Sequence, residues 1–473
     1  MFKTIRDAWN VPDLRKKILF TLFIIVLYRL GSVIPVPFAS PEILQQATAY
    51  AGNSLLTYFT FIAGESFSQA TLFALSISPY ITASIVVQLL CVAIPKWQEW
   101  QKEDGEEGRR KLDKITRYIT VGLSLITAFG YYQYLKANNA IINVTLFSNA
   151  TLNQWAIAIV MIACYCAGAC LIMWLGEKID NFGIGNGISI ILFINILSGI
   201  PRMVQTFYVR NLHPESYGLT DAKAMPIWLF IIVAVLIVIF FLAAITFIVH
   251  MTEAERRIKV SYAKRVQGRK MYGGQDSDLP IKLNMSGVMP IIFAQSIASI
   301  PSTIALIAPG TKPAGFDEGT CAIANFKEWW YVFTNKTFSY TSPLYMVIFF
   351  ALIIAFAYFY ITISFDPTEI SNNLKKNGGF VLGLRPGAPT ANFIKRVTNR
   401  ITLIGALFLG VVAIIPLIVN ATMGNSLGIV AFGGTSILIL VGVALETVRE
   451  LEAQLTTYRR PGTSGGIFRG KRK

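Results

Sequence analysis

The sequence predicts an all-α polytopic membrane protein with about ten transmembrane helices, and three observations support this. Of 473 residues, 54% are hydrophobic and 14% charged, whereas about a quarter of a soluble domain is charged; mean hydropathy is +0.54. Second, apolar runs of about 20 residues, the length that crosses about 30 Å of hydrocarbon, recur along the chain. They are 18–37, 72–95, 115–135, 155–175, 186–206, 225–249, 286–308, 342–364, 400–420 and 429–448.

The third observation is the distribution of positive charge. With the N-terminus in the cytoplasm, 34 of the 42 Lys and Arg residues lie in cytoplasmic stretches and 7 in outer loops. Arg29 lies near the outer end of the first span, where it can snorkel. The net charge of +16 therefore follows the positive-inside rule and places both termini in the cytoplasm. Nine spans follow the first apolar run, so we expect that run to be retained rather than cleaved as a signal peptide.

Five spans on either side of a central outer loop predict two halves of opposite orientation, that is, an inverted repeat. Pro79-Tyr80-Ile81-Thr82-Ala83 in span two has a faint counterpart in Pro290-Ile291-Ile292-Phe293-Ala294 of span seven. The predicted units are an interfacial segment 1–17, an N-terminal half 18–206, an outer hinge loop 207–224, a C-terminal half 225–448 and a basic cytoplasmic tail 449–473.

The helix Ser78 to Leu90 is the predicted pore wall. Ile81 and Ile85 share one helical face, while Thr82, Ser84 and Gln88 need polar partners that lipid does not supply. The stretch 52–70 before it is too short and too polar to span the membrane, and residues 38–71 contain no Lys or Arg. We therefore expect a re-entrant segment on the outer side, where it would act as a plug.

Two long cytoplasmic loops belong to the second half. In 250–286, Ile258, Val260 and Tyr262 alternate with polar or small residues and Gly273-Gly274 supplies a turn, which predicts a basic β-hairpin with 279–283 as its second strand. In 366–399, Asp366-Pro367 is typical of a helix cap and 383–387 of a rigid tip. Each loop either docks a partner or carries positive charge whose only role is to fix the membrane topology.

The sequence lacks the residue patterns that catalysis, metal binding, ion coupling and phosphate binding require. Two His residues leave no catalytic triad, and Cys164, Cys166 and Cys170 lack zinc-like spacing. No span has a carboxylate near its middle, where ion-coupled transport needs charge. The glycines of 183–187 lack the context of a phosphate-binding loop, which favours close backbone packing. We expect no enzyme activity, cofactor or metal.

Motifs spread over nearly the whole chain resemble the bacterial SecY family, whose members form the central subunit of a protein-conducting channel. These motifs are Tyr28-Arg29-Leu30-Gly31, Ser78 to Leu90, Gly183 to Ser189, Tyr262-Ala263-Lys264-Arg265, Gly287 to Ala294, Gly383-Leu384-Arg385-Pro386-Gly387 and Gly433-Gly434-Thr435-Ser436. The resemblance implies two five-helix halves around an hourglass pore, with a plug and a lateral gate between spans two and three and spans seven and eight.

The same resemblance implies site residues. The pore ring falls on Ile81, Ile85, Ile188, Leu192, Ile292 and Ile439, and the plug on Asn53, Ser54, Leu55, Leu56, Thr57, Tyr58, Phe59, Thr60, Phe61, Ile62 and Ala63. Leu192 stands where relatives often have Ile, a change that keeps apolar bulk. Thr82, Ser84, Gln88 and Gln295 would be polar residues of the lateral gate, and Arg256, Arg257, Lys264, Arg265 and Arg385 would dock a motor or ribosome.

The implied function is passage of unfolded secretory polypeptides across the bacterial plasma membrane, with apolar segments released sideways into lipid. The implied partners are the small membrane subunits SecE and SecG, the motor ATPase SecA, the ribosome, translocating preproteins with their signal sequences, and anionic lipids. Two alternatives stay open: a secondary transporter built on an inverted repeat, and an intramembrane hydrolase, for which the chain offers no catalytic set.

Overall fold

The computed structural model of the chain describes residues 2–44, 65–102, 105–142, 149–212, 226–262, 265–267, 270–272, 276–307, 310, 325–338, 342–423 and 434–459. A helix lies within each of the ten predicted spans. The predicted plug, 53–63, lies outside the described residues.

The helices of the N-terminal half are as follows: α1 (Phe2–Trp9), α2 (Pro12–Gly31), α3 (Glu65–Ser68), α4 (Ser78–Ala93), α5 (Pro95–Lys102), α6 (Gly105–Ala137), α7 (Ala150–Phe182) and α8 (Gly187–Leu212). A proline is the first residue of α2 and of α5 and the second residue of α4, at positions where a helix needs no backbone donor. The predicted first span, 18–37, is helical only to Gly31 because Pro35 and Pro37 follow.

The helices of the C-terminal half are α9 (Ile227–Glu253), α10 (Met289–Ala298), α11 (Ile300–Ile307), α12 (Phe326–Val332), α13 (Pro343–Ser364), α14 (Pro367–Lys376), α15 (Ala388–Met423) and α16 (Gly434–Arg459). A π-helical turn, Phe333–Thr337, continues α12. As predicted, Asp366 caps α14: its Oδ1 accepts hydrogen bonds from the backbone N–H groups of Thr368 and Glu369.

Four helices in the described part of the chain are long and apolar enough to cross a membrane by themselves. They are Thr151–Phe182, Ile227–Glu253, Pro343–Lys376 and Ala388–Val419, and a fifth is possible if Ser78–Ala93 and Pro95–Gln101, bent by 110°, form one span. Gly187–Pro201 and Met289–Ala305 are apolar but shorter. Short spans of this kind are stable at membrane depth where protein surrounds them, and nearly every side chain of α10 up to Ala294 is buried.

One large apolar core joins the two halves. It contains residues of α2, α4, α7, α8, α10, α13, α15 and α16. Helix α4 packs on α6 and α10, α10 packs on α13, and α8 packs on α16. The core therefore lies between the halves and includes the helices predicted to line the pore.

The Gly183 to Gly187 stretch allows a close approach of backbones, as predicted. A Cβ on Gly187 would lie 2.1 Å from the carbonyl oxygen of Gly176, and one on Gly183 would lie 2.6 Å from Thr21 Oγ1. Gly185 has φ +83°, which favours glycine. This turn lets α8 begin directly against the end of α7.

The helices do not stop at the predicted limits between units. Helix α16 continues without a break to Arg459, so the limit between the C-terminal half and the tail at 448/449 falls inside a helix. Helix α8 extends to Leu212, into the predicted hinge loop 207–224. Within the predicted interfacial segment 1–17, Ala8, Val11 and Leu14 are buried against Leu451 and Leu455 of α16.

Strands occur only in the predicted loops 250–286 and 366–399, as far as the structure describes them. They are β1 (Glu255–Tyr262), β2 (Arg265–Gln267), β3 (Lys270–Tyr272), β4 (Asp276–Lys282) and β5 (Gly379–Val381). Strands β1 and β4 form the predicted hairpin, with Ile258 opposite Leu279. Strand β5 from the second loop also pairs with β1, giving a sheet of order β4-β1-β5 that we call the loop sheet.

Candidate functional site

Four of the six predicted ring residues line one cavity. Ile81 lies on α4, Leu192 on α8, Ile292 on α10 and Ile439 on α16, and each is 5–6% exposed. The cavity has a volume of about 30 Å³, which leaves room for only a few water molecules. We call it the ring cavity; its remaining lining residues are Ser78, Ile196, Gln295, Ser296, Thr435 and Ser436.

The other two predicted ring residues lie close by. Ile85 is 2% exposed and belongs to the same apolar core, and Ile188 is half-buried against that core. Neither is on the wall of the ring cavity. The structure therefore brings together four residues of the predicted ring and sets two beside it.

Helices α4 and α10 present their isoleucines in the same way. Both begin one residue before a proline, Pro79 or Pro290, and the isoleucine that lines the ring cavity stands two residues after that proline. The sequence correspondence between spans two and seven thus marks equivalent positions on two facing helices.

Ile196 was missed by sequence reasoning. It stands four residues after Leu192 on α8, so the two side chains share one helical face and both line the ring cavity. The i, i+4 spacing was a signal that could have found it. Thr435 and Ser436, at the start of α16, add the hydroxyl groups of the cavity wall.

A seam between the halves lies where lateral opening was predicted. Helix α4 packs against α10, and α6 packs against α11. Thr82 Oγ1 donates to the carbonyl of Ser78 (3.1 Å), and Gln88 Nε2 donates to Ser84 Oγ (3.3 Å). Both of these bonds lie within α4 and do not cross the seam. Gln295 lines the ring cavity.

The segment 65–77, between the predicted plug and α4, is tied to its neighbours. Thr71 forms an isolated β-bridge with Pro35, and the backbone N–H of Leu72 donates to the carbonyl of Ile34 at 2.9 Å. Tyr131 of α6 donates its O–H to the carbonyl of Phe67 at 2.6 Å. This segment is therefore bonded both to the stretch that follows α2 and to α6.

Of the predicted docking residues, Arg256 and Arg257 lie on β1 of the loop sheet, and Arg385 follows β5. Val260 of β1 pairs with Val381 of β5, and both side chains are buried in a small apolar cluster with Ile258 and Ile281. Arg256, Arg257 and Arg385 are exposed, and Arg257 Nε donates to Glu255 Oε1 at 2.8 Å. Lys264 lies outside the described residues, and Arg265 begins β2.

The tip that carries Arg385 is held by side-chain hydroxyl groups that bind its backbone carbonyls. Thr390 Oγ1 donates to the carbonyl of Arg385 and Ser371 Oγ to that of Gly387, each at 2.8 Å. Gly383 and Gly387 have φ values of +82° and +107°, which glycine adopts readily. The prediction of an ordered tip is met by this geometry.

No group of three or more potential metal ligands occurs among the described residues. The arrangement offers instead an apolar constriction, a seam between helices and an exposed basic surface.

Comparison with known proteins assigns the chain to a family. The family model SecY matches residues 71–448. A protein translocase subunit SecY from Streptomyces galbus is 39% identical over 464 residues, covering 96% of this chain and 98% of the relative. The chain belongs to the SecY family. The proteins of the same description from Halalkalibacterium halodurans and Mycobacterium tuberculosis are 40% and 37% identical over 462 residues, with the same coverage.

Solved structures share the SecY fold of this chain. A structure described as a protein conducting channel has a TM-score of 0.60 at 17% identity and covers 95% of both chains. Sec61 in the canine ribosome-channel complex has a TM-score of 0.58 at 17% identity, again covering 95% of both chains. This likeness confirms the predicted polytopic helical membrane fold, so the chain is a multi-pass membrane protein.

Proposed function

We propose that this chain is the pore-forming subunit of a protein translocation channel. The observation that carries the proposal is the ring cavity, where Ile81, Leu192, Ile292 and Ile439 meet from four different helices of both halves. The relatives' description as protein translocase subunits supports the same function.

The chemistry of an aliphatic ring suits a polypeptide as substrate. A passing chain presents every type of side chain in turn, and specific polar partners would trap some of them. Aliphatic side chains offer no hydrogen bonds, can yield around bulky residues, and exclude water and ions by dewetting when they close. The ring would thus seal the resting channel and, in the open channel, contact every type of passing side chain without binding any of them specifically.

Lateral release and a plug complete the proposal. The seam between α4 and α6 on one side and α10 and α11 on the other would open to lipid, and apolar signal segments would leave through it, driven by about 25 cal/mol per Å² of apolar surface buried. Residues 53–63 would block the pore from the outer side.

The loop sheet and the Arg385 tip would face the cytoplasm and dock the source of energy, a SecA motor or a ribosome. SecE and SecG would be the small membrane subunits, and anionic lipids would attract the basic surface. In this orientation both termini are cytoplasmic and the membrane is the bacterial plasma membrane. The chain itself would hydrolyse no ATP and hold no cofactor.

Reconstitution separates this function from its main alternative. Proteoliposomes that contain the chain and its small subunits should protect an unfolded preprotein from external protease when a motor and ATP are present. A secondary transporter would instead accumulate a small solute along an ion gradient, and that result without preprotein protection would overturn the proposal.

A further inference from the structure

A second and much larger cavity lies beside the ring, at the end of the molecule that carries the loop sheet. Its volume is about 450 Å³, within the size range of ligand sites. Apolar residues line the end near the ring and charged residues the other end. The lining residues are Thr252, Lys282, Asn284, Met285, Gly287, Val288, Leu438, Gly442, Leu445, Glu446, Arg449 and Glu450.

The position of the charges follows from helical geometry. Glu446 and Glu450 stand 7 and 11 residues after Ile439 on α16, close to two and three helical turns. They therefore lie on the stripe of α16 that carries the ring residue, with Glu446 roughly 10 Å along the axis from Ile439. Leu438, Leu445 and Arg449 form the neighbouring stripe in the same way. The two carboxylates face the approach to the ring, and Arg449 lies to one side.

These four charged side chains make no direct ion pair in the part of the chain that the structure describes. Within the described part of the chain, no ion pair involves Lys282, Arg449, Glu446 or Glu450. Arg449 Nη2 reaches only the carbonyl of Thr252 at 3.5 Å, and Glu450 Oε1 accepts from Gln454 at 3.2 Å. Burial lowers the pKa of Lys282, and the charge of Arg449 lowers it further, while the charge of Glu255 acts in the opposite direction. Arg449 is also near enough to Glu446 for their charges to interact. The cavity wall thus holds two cations and two anions, with the anions in line with the ring.

We propose that this cavity is a docking site for the basic side chains that precede the apolar core of a signal segment. Such segments begin with a positively charged region. With the apolar core at the seam, Glu446 and Glu450 would bind those Lys or Arg side chains before the ring, while Lys282 and Arg449 keep them on the acidic stripe. The balanced charge of the cavity keeps this binding weak, so the segment is oriented and then released. The inference rests on the proposed function.

The test varies charge on both partners. Membrane vesicles carry the full chain, as wild type or variant, with its membrane partners, and the preproteins differ only in whether lysines, glutamines or aspartates precede the same apolar core. With wild type, protease protection should favour lysines over aspartates. Glu446→Gln with Glu450→Gln should reduce that preference about five- to tenfold, the worth of two partly exposed ion pairs, and Glu446→Lys with Glu450→Lys should shift it towards aspartates.

The control is Glu452→Gln, which removes a carboxylate from the same helix outside the cavity lining and should leave the preference unchanged. The glutamine preprotein checks that each variant still translocates. A preference that is equal in wild type and both double variants would overturn the docking site alone, whereas absence of any protection with wild type would overturn the proposed function.

Crosslinking gives a second readout that needs no variant channel. A photoreactive residue placed among the lysines of a stalled preprotein should attach to the stretch 446–450 of the wild-type chain. Attachment only to other helices would contradict the docking site.

Discussion

The phenolic O–H of Tyr28 donates a hydrogen bond to Oδ1 of Asn195, and both side chains are buried. Asn195 Nδ2 donates in turn to Ser76 Oγ at 2.9 Å, and the Tyr28 ring stacks on Phe73 with centroids 5.4 Å apart. Asn195 stands on α8 between two residues of the ring cavity, Leu192 and Ile196. One buried polar joint therefore connects α2, the segment 65–77 and a ring helix.

Breaking this joint should loosen the closed ring. We expect Asn195→Leu to leave the Tyr28 and Ser76 hydroxyls without their partner, at a cost of about 1–3 kcal/mol of stability for each group. The purified complex should unfold at a lower temperature, and resting channels in planar bilayers should leak ions. Asn181→Leu, at the exposed end of α7, is the control. Unchanged melting and conductance in Asn195→Leu would mean that the joint has no part in closure.

Polar substitution in the ring cavity should make the resting channel conductive. An amide at Ile81 or Ile292 supplies partners for a thread of water and weakens apolar closure by about 1–3 kcal/mol, and about 1.4 kcal/mol is tenfold in population. Single-channel recording of Ile81→Asn and Ile292→Asn should show this leak. The control is Ile353→Asn. Ile353 is also buried, on α13, but lies outside the cavity lining, so this variant should lose stability without any gain in resting conductance. Equal leaks in all three variants would attribute the effect to general damage.

Charge reversal at the ordered tip should abolish coupling to the energy source. Arg385 is exposed on a backbone fixed by Thr390 and Ser371, so its planar guanidinium is presented in one place to an acidic or phosphate partner. We expect Arg385→Glu to insert normally but to lose motor-dependent preprotein protection. Lys376→Glu, on exposed α14, should retain it. Full protection of the preprotein by the Arg385→Glu channel would mean that the positive charge of this loop only fixes the membrane topology.

The pairing of the two loops should matter for the same coupling. Val381 is 4% exposed in the cluster beneath the loop sheet, whereas its neighbour Phe380 is 37% exposed. Val381→Asn buries an amide among aliphatic groups, at about 1–3 kcal/mol, and should detach β5 from β1. We expect lost motor-dependent translocation with normal resting conductance, while Phe380→Asn stays active. A Val381→Asn channel with full activity would show that the loops can act separately.

The sequence predicted features that depend on local pattern. Apolar runs predicted the positions of helices, the alternation of Ile258, Val260 and Tyr262 predicted β1, and the proline correspondence placed Ile81 and Ile292 on equivalent turns. These signals are local because hydrophobic period and turn chemistry extend over only a few residues.

The remaining features depend on contacts that are distant along the chain. Strand β5 has three residues, too few for an alternating pattern, and only pairing with β1 makes it a strand. Asn195 is an ordinary polar residue until Tyr28 and Ser76 meet it. The apolar run of span ten ends at 448, whereas α16 continues to Arg459, and its Leu451 and Leu455 pack against Ala8 and Leu14.

We propose that a polypeptide passes between Ile81 and Ile292. The most direct measurement places a photoreactive residue at each position, stalls a secretory chain in the active complex, and identifies what is crosslinked. We predict that both positions attach to the stalled chain, and that the same probe at Ile353 does not. Attachment from Ile353 but from neither ring position would place the path elsewhere and contradict the pore described here.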